Sequence, residues 1–260
     1  EFSTPTGIKE ECKEKFASIL AEFSTVRKRK DVMPWLPEKD YCPIRLQLTP
    51  KQKNYLQQLE TWFEIEGTDI VTTGILDRLI RYRQICLAPE LLGLKGGSPK
   101  TDYILQYIQD YPDESIIIFS SFTQYIKILQ KKIPTARMII GETPIPKRAE
   151  YCKAFQEGKI KILLINIQAG KEALTLDKAT TTIFTDKFPP IGDITQAEDR
   201  FVATRPDIAD KEHKIVELMM ANSYDEMIYD LLAKRYSETD VINNYKNYIM
   251  KGVDVNGITS

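Results

Sequence analysis

A short segment near residue 200 carries residue types that handle phosphate groups. Its eleven residues, TQAEDRFVATR, contain Gln196, Asp199, Arg200 and Arg205 and follow a strand pattern that ends at Asp186. Open α/β sheets bind ligands just outside the carboxyl ends of their strands, which is where this predicted helix would lie. An arginine there can stabilise the charge that develops on a γ-phosphate during phosphoryl transfer. The other interpretation is a solvated helix with a weak surface pair between Asp199 and Arg200, and the segment alone leaves both open.

Composition and charge narrow the class of protein. The 260 residues are 42% hydrophobic and 28% charged, which is typical of a globular chain of one or two domains. The net charge of -1 gives no overall attraction to nucleic acid, so a polyanion site needs local clusters of positive charge. The four cysteines have neither the pairing of a metal site nor the density of a disulfide scaffold, which favours a reducing compartment. No stretch approaches the ~20 apolar residues of a membrane span.

From about residue 99 onward, short apolar runs alternate with amphipathic stretches. The apolar runs predict strands at 115–120, 137–140, 160–166, 181–185 and 214–220. The amphipathic stretches predict helices at 101–110, 122–132, 146–156 and 195–202. Near-continuous apolar runs are typical of parallel strands that are covered on both faces. The alternation therefore predicts a doubly wound, mostly parallel α/β sheet whose functional edge lies at the carboxyl ends of the strands.

The residues before about 98 have a different pattern. Helical periodicity dominates 51–66 and 75–85, without strand alternation of similar strength, so this part is predicted to be a helical subdomain. The stretch 93–99, which is rich in glycine, predicts a flexible joint before the sheet. A further amphipathic helix is predicted from 223 to 236.

Several motifs follow one another along the chain. In the first half they are VRKRKDV at 26–32, LPEK at 36–39, LTPKQ at 48–52 and LIRYRQICLAPELL at 79–92. They continue with SPK at 98–100, IFSSFT at 118–123, GET at 141–143, NIQAG at 166–170, QAEDRFVATR at 196–205 and SYDEMI at 223–228. Over about 16–236 this succession resembles the second motor lobe of a Swi/Snf-type ATPase, the duplex-DNA translocase branch of the superfamily-two helicases.

The resemblance implies a RecA-like lobe with an N-terminal helical insertion and a C-terminal brace helix. Its parts would be an upstream segment at 1–24 whose first residues resemble a cloning remnant, an inter-lobe segment and helical protrusion at 25–98, the RecA-like lobe at 99–222, and the brace helix and tail at 223–260. The implied partners are double-stranded DNA and the N-terminal motor lobe of the same protein, with no membrane partner. The implied location is intracellular, nuclear in a eukaryote and cytoplasmic in a prokaryote or virus.

The resemblance also implies an ATP site that is shared between two lobes. Residues at this site would be Arg200 and Arg205 as catalytic groups, with Gln196, Asp199, Gly170 and Glu172 binding the nucleotide. The cofactors ATP and Mg²⁺ would be held mainly by the missing first lobe. The chain has no glycine-rich loop ending in Gly-Lys-Ser/Thr and no carboxylate pair at a strand end for Mg²⁺. It is therefore predicted to be half of a bipartite ATPase and inactive alone.

A second predicted site grips the nucleic-acid backbone. Hydroxyls, amides and backbone N–H groups that follow the strands are presented at one edge of the sheet, and such groups make sequence-independent phosphate contacts. The residues predicted for these contacts are Ser120, Ser121, Thr123, Gly141, Thr143, Arg148, Asn166, Gln168 and Lys171. Serine and threonine at a helix start also cap that helix whatever binds nearby, so a purely structural role stays open for Ser120, Ser121 and Thr123.

Departures from the family pattern leave other functions open. Ala203 stands where the family has its second arginine, three residues after Arg200, and Lys171 and Ala173 stand where it has glycines. One alternative is a nucleic-acid-binding or scaffolding domain that has lost motor function. The other is a helicase that acts on RNA or on single strands.

Overall fold

The computed structural model describes residues 12–23, 40–169, 176–188, 194 and 213–233. The chain divides into two compact units, Glu1–Leu36 and Pro37–Ser260. In the first unit, helix α1 spans Lys13–Phe23. The second unit contains all the other elements that are described below.

A parallel sheet forms the centre of the second unit. Its strands are β1 (Asp40–Leu46), β2 (Ile116–Ser120), β3 (Arg137–Ile139), β4 (Ile162–Asn166), β5 (Thr181–Phe184) and β6 (Lys214–Met220). Their order across the sheet is β1-β6-β5-β2-β4-β3, and every pairing is parallel. Strands β2, β4 and β5 are buried along their whole length, and the nearly continuous apolar runs of β2 and β4 predict this burial. The predicted doubly wound α/β fold is confirmed.

Strand β1 was not predicted by the sequence. It pairs with β6 from Asp40 to Leu46 and forms one edge of the sheet. Its residues alternate between exposed and half-buried positions, and Pro43 interrupts the run. Proline lacks a backbone N–H and is therefore restricted to edge strands, where one side of the ladder is unused. The sequence of this strand, DYCPIRL, has a weak apolar pattern and precedes two long helices. The region was therefore predicted to be helical, and the strand was missed.

Helices cover both faces of the sheet. In chain order they are α2 (Pro50–Thr61), α3 (Ile75–Leu87), α4 (Pro99–Asp110), α5 (Thr123–Lys132), α6 (Ile145–Gln156) and α7 (Tyr224–Ala233). Thr49 and Gln52 form a capping box at the start of α2. The helix predicted for 51–66 ends at Thr61 because Phe63 has a positive φ of 63°, which a right-handed helix cannot contain.

Alternate residues of the central strand enter two different cores. Ile116 and Ile118 pack with α4 and α5, whereas Ile117 and Phe119 pack with Cys152 and Phe155 of α6. This is the two-sided burial of a doubly wound sheet, since successive side chains of a strand point to opposite faces.

The helical insertion has a core of its own. Leu59 of α2 and Leu79 of α3 pack with Tyr224 and Ile228 of α7 and with Met220 at the end of β6. The insertion and the predicted brace helix are thus joined at the carboxyl end of β6. In the part of the chain that the structure describes, no helix is long and apolar enough to cross a membrane.

Candidate nucleic-acid interface at the carboxyl edge of the sheet

The parallel register brings the predicted DNA-contacting segments together. Ser120 at the end of β2 pairs with Asn166 at the end of β4, and β3 lies on the other side of β4. Neighbouring strands are about 4.8 Å apart, so the turns that follow β2, β4 and β3 lie next to one another at one edge. The sequence predicted this shared edge from strand ends alone.

The turn after β2 is organised by a carboxylate. The Ser120 hydroxyl donates to Asp186 Oδ1 at 2.6 Å, and the Ser121 N–H donates to the same oxygen at 3.1 Å. Ser120 Oγ also accepts from the Phe122 N–H at 3.2 Å. Helix α5 begins at Thr123 with Phe122 as its N-cap, and no side chain caps it. Helix capping, the structural alternative for these residues, therefore does not explain Thr123.

The turn after β4 is tied to the turn after β2. Asn166 Nδ2 donates to the carbonyls of Ser120 and Ser121 at 3.3 and 3.1 Å. Asn166 Oδ1 accepts from the Gln168 N–H at 3.1 Å, while the Gln168 side chain is exposed. The amide of Asn166 thus fixes the relative position of the two turns and presents Gln168 to solvent.

The turn after β3 is organised by a buried guanidinium. Arg148 donates through Nε to the Thr143 carbonyl at 2.7 Å, and through Nη2 to the carbonyls of Ile140 and Gly141 at 3.2 and 3.0 Å. Only 6% of Arg148 is exposed. The Thr143 hydroxyl accepts from the Ile140 N–H at 3.0 Å. Both side chains therefore shape this turn, and their contact with phosphate stays a prediction.

Other polar groups along the edge remain available to a ligand. Within the described part of the chain, no hydrogen bond uses the N–H groups of Gly141 and Glu142, the Thr123 hydroxyl or the Gln168 side-chain amide. The first N–H groups of α5 also have no partner inside that helix, as at every helix start. Unpaired N–H groups at a helix start favour an anion, which the helix dipole reinforces.

A cluster of buried charges lies directly behind this edge. Arg83 of α3 donates through Nη2 to Asp186 Oδ2 at 3.1 Å. Lys100 of α4 donates through Nζ to Asp225 Oδ2 and to the Thr185 carbonyl, both at 2.7 Å. We call these four residues, Arg83, Lys100, Asp186 and Asp225, the charged junction. Two positive and two negative side chains balance within it.

Burial sets the electrostatics of the junction. It lowers the pKa of the Arg83 guanidinium, although the charges of Asp186 and Asp225 act in the opposite direction. Burial also raises the pKa of the neighbouring Cys86 thiol well above its ordinary range, a shift that Asp225 increases and Lys100 reduces. Cys86 is therefore a neutral thiol and adds no charge to the cluster.

Sequence reasoning did not assign the charged junction. Its signals are nevertheless present: Arg83 falls among the buried residues of α3, where a charge needs a partner, and Asp186 comes just after the strand pattern predicted for 181–185. Lys100 was noted as part of the SPK motif, without a role. Residue type and spacing cannot show which buried cation meets which carboxylate, because the two pairs are separated by 103 and 125 positions in the chain.

The predicted ATP-site residues lie outside the described part of the chain. They are Gly170, Glu172, Gln196, Asp199, Arg200 and Arg205, and Lys171 of the predicted DNA site lies there as well. Their roles stay predictions. Asp186, where the preceding strand pattern ends, is described and is 2% exposed.

Comparison with known proteins shows which proteins this chain is similar to. Residues 99–203 match the helicase conserved C-terminal domain. The Sulfolobus solfataricus SWI2/SNF2 ATPase core in complex with dsDNA is similar with a TM-score of 0.59 and 25% identity, covering 86% of this chain and 50% of that one. Residues 99–203 are thus a helicase conserved C-terminal domain, and the chain is similar to Swi/Snf-type C-terminal lobes. The C-terminal part of the Fun30 ATPase domain shares the fold of this lobe, with a TM-score of 0.61 at 18% identity over 84% of this chain and 99% of that one.

Curated relatives of the Swi/Snf-type lobe are much longer proteins. The lobe is 24% identical to the DNA annealing helicase and endonuclease ZRANB3 of Bos taurus over 194 residues, which are 70% of this chain and 17% of that protein. It is 29% identical to the ATP-dependent helicase ULS1 of Saccharomyces cerevisiae over 155 residues, 55% of this chain and 9% of that protein. The chain therefore spans less than a fifth of the length of these curated relatives.

Proposed function

We propose that this lobe is the second half of an ATP-dependent motor that moves along double-stranded DNA. It grips the phosphate backbone with the turns after β2, β3 and β4 and completes an ATP site whose other half belongs to a first lobe. The observation that carries the proposal is the alignment of three adjacent turns with unused donors at one edge of a parallel sheet.

The DNA contact follows from the chemistry of that edge. The N–H groups of Gly141 and Glu142, the Thr123 hydroxyl and the Gln168 amide are donors, and phosphate oxygens are acceptors. Backbone N–H groups and neutral side chains hold phosphates without reading bases. Duplex DNA is the preferred form because the Sulfolobus SWI2/SNF2 core, a relative at 25% identity, is a complex with dsDNA.

The ATP half of the proposal rests on the family. ULS1 and the Schizosaccharomyces pombe relative fft1 are both named ATP-dependent helicases. In our proposal, Arg200 meets the γ-phosphate that the first lobe binds, and Mg²⁺ is held on the side of that lobe. The two lobes then close around ATP and reopen after hydrolysis. Each closure and reopening changes how tightly the lobes hold the DNA.

The test is ATP hydrolysis by the motor in which this chain is joined to a first lobe. Arg200→Ala should lower DNA-stimulated kcat by about 10³-fold, the scale of an arginine that stabilises the transition state. Arg137→Ala, at the exposed start of β3, is the matched control and should leave kcat unchanged. The 260-residue chain alone should show no DNA-stimulated hydrolysis. Wild-type turnover by the Arg200→Ala motor would remove the ATP-site assignment.

A motor-inactive binding domain is the second candidate, and one observation favours it. Ala203 replaces the family's second arginine, and Arg205 is the next arginine along the chain. If Arg205 replaces that arginine, Arg205→Ala should reduce kcat more than nucleotide affinity, since an interaction made mainly in the transition state lowers kcat. A wild-type motor that binds duplex DNA and hydrolyses no ATP would support the binding domain instead.

A further inference from the structure

We propose that Arg83 and Asp186 are positioning residues that connect the helical insertion to the DNA-contacting edge. Arg83 belongs to α3 of the insertion, whereas Asp186 follows β5 of the sheet. Their ion pair fixes the turn after β2, so the insertion helps to set the shape of the grip. The DNA part of this inference rests on the proposed function, while the connection itself stands on the contacts.

Asp186 is a shared acceptor with both carboxylate oxygens in use. Oδ1 accepts from the Ser120 hydroxyl, the Ser121 N–H and the Thr185 hydroxyl at 2.6, 3.1 and 3.0 Å. Oδ2 accepts from Arg83 Nη2 at 3.1 Å. With 2% of the residue exposed, water does not substitute for these donors. The position of this carboxylate therefore determines where the backbone of Ser121 lies.

Arg83 holds that carboxylate from the side of the insertion. Its guanidinium carbon lies 4.1 Å from the centroid of the Phe188 ring and 4.9 Å from that of Phe122. A planar guanidinium can contact aromatic faces and donate to a carboxylate at the same time, which the compact ammonium of lysine does less well. Phe122 is also the N-cap of α5. Arg83 thus contacts both the carboxylate and the residue at which the DNA-contacting helix begins.

The contacts continue from this turn to the next one. The carbonyls of Ser120 and Ser121 accept from Asn166, and Asn166 accepts from the Gln168 N–H. A continuous series of hydrogen bonds therefore runs from Arg83 through Asp186 to the exposed Gln168. Without the guanidinium, Asp186 would be a buried carboxylate with no cation in direct contact, which is unfavourable. We expect the carboxylate to shift and the Ser121 N–H to lose its acceptor.

Amide hydrogen exchange of the chain tests the connection without any ligand. Arg83→Met removes the charge and keeps much of the side-chain length. We expect exchange of the Ser121 and Phe122 amides to become about tenfold faster or more, because their acceptors move. The Thr143 amide, which donates to the Ile140 carbonyl at 2.9 Å in the other turn, should be unchanged. Arg81→Met, on the same helix, is the matched control and should change neither amide.

Duplex-DNA affinity tests the consequence for function. Arg83→Met should bind a DNA duplex about fivefold more weakly, within the range of couplings between sites, and Arg83→Lys should recover part of the loss. If the wild-type chain binds no duplex, the proposed function fails, while the exchange result still decides the positioning role. If Arg83→Met does not fold, amide exchange of the Arg83→Lys variant tests the positioning role instead. The proposal would be overturned if the Ser121 amide of the Arg83 variants exchanged at the wild-type rate. It would also be overturned if exchange at Ser121 and at Thr143 increased equally in Arg83→Met and Arg83→Lys.

Discussion

The turns after β2 and β3 lie at the same edge and are held in opposite ways. A buried carboxylate, Asp186, accepts hydrogen bonds from the turn after β2. A buried guanidinium, Arg148, donates hydrogen bonds to the carbonyls of the turn after β3. The first arrangement uses up backbone and side-chain donors. The second uses up acceptors and leaves the N–H groups of Gly141 and Glu142 available for an anion.

The two arrangements also differ in how far their partners lie apart in the chain. Asp186 lies 65 to 66 positions from Ser121 and Ser120 and 103 from Arg83. Arg148 lies within eight positions of all three carbonyls that it binds. The turn after β2 therefore depends on the packing of the insertion against the sheet, whereas the turn after β3 is a local structure. A substitution that disrupts the turn after β2 should therefore change more distant parts of the lobe than one that disrupts the turn after β3.

The largest effect is expected for Asp186→Ala. This change leaves Arg83 buried without its ion pair and removes the acceptor of Ser120 and Ser121, and breaking a buried pair on one side costs about 3–5 kcal/mol. For a unit of this size, the melting temperature should fall by roughly 6–20 °C. Thermal unfolding followed by circular dichroism measures the change.

Asp113→Ala is the matched control for this prediction. Its carboxylate pairs with Lys161 at the surface, and 99% of its side chain is exposed. An exposed pair contributes about 0–1 kcal/mol, so its melting temperature should hardly change. Equal melting temperatures for the two variants would show that the charged junction does not stabilise the lobe.

A smaller effect is expected for Arg148→Ala. Three carbonyls lose the Arg148 donor, the Ile140 carbonyl keeps the Thr143 N–H, and the turn is partly open to water, so we expect a loss of about 1–3 kcal/mol. The accompanying change in hydrogen exchange should stay within the turn after β3. Arg148→Lys should recover little, because a lysine cannot reach three carbonyls with a fixed fork. Faster exchange at Ser121 in Arg148→Ala would contradict the local character of this turn.

The smallest effect on stability is expected for two polar side chains that follow β2 and β4, Thr123 and Gln168. Thr123→Val and Gln168→Ala remove unused donors, so unfolding should change by less than about 0.5 kcal/mol, as for ordinary surface substitutions. Each loss of a phosphate hydrogen bond should weaken duplex binding by about fivefold, corresponding to about 1 kcal/mol. Anisotropy titrations with a labelled duplex measure this. Variants with wild-type affinity would remove these two side chains from the interface.

Much of the fold was predictable because several strands consist almost entirely of apolar residues. Ile116–Ser120 and Ile162–Asn166 are continuous apolar runs, and five of the six strands lie where such runs predict them. Strand β1 could not be predicted in this way, because it is an edge strand with a half-exposed pattern and a proline. Its place beside β6 is a long-range pairing that local periodicity does not encode.

The candidate site was predictable as a location and less so as a set of contacts. Strand ends predicted that these segments meet at one edge, and they do, since all strands run in the same direction. The roles of several individual side chains depend on partners that lie far away in the sequence. Arg148 was predicted to meet phosphate, and the structure shows it bound to turn carbonyls. The predicted Ser120 is bound to Asp186, whose role only the folded arrangement reveals.

Amide protection by a DNA duplex tests the central claim most directly. We predict that adding duplex DNA to the chain slows exchange at Gly141 and Glu142 and at the start of α5, and that added salt reverses the effect because phosphate binding releases counterions. Amides at the opposite edge, such as those of Ser115 and Thr180, should exchange as before. Slower amide exchange at the opposite edge would contradict a phosphate grip by the turns after β2, β3 and β4. So would unchanged exchange at all of these amides when the chain is saturated with DNA.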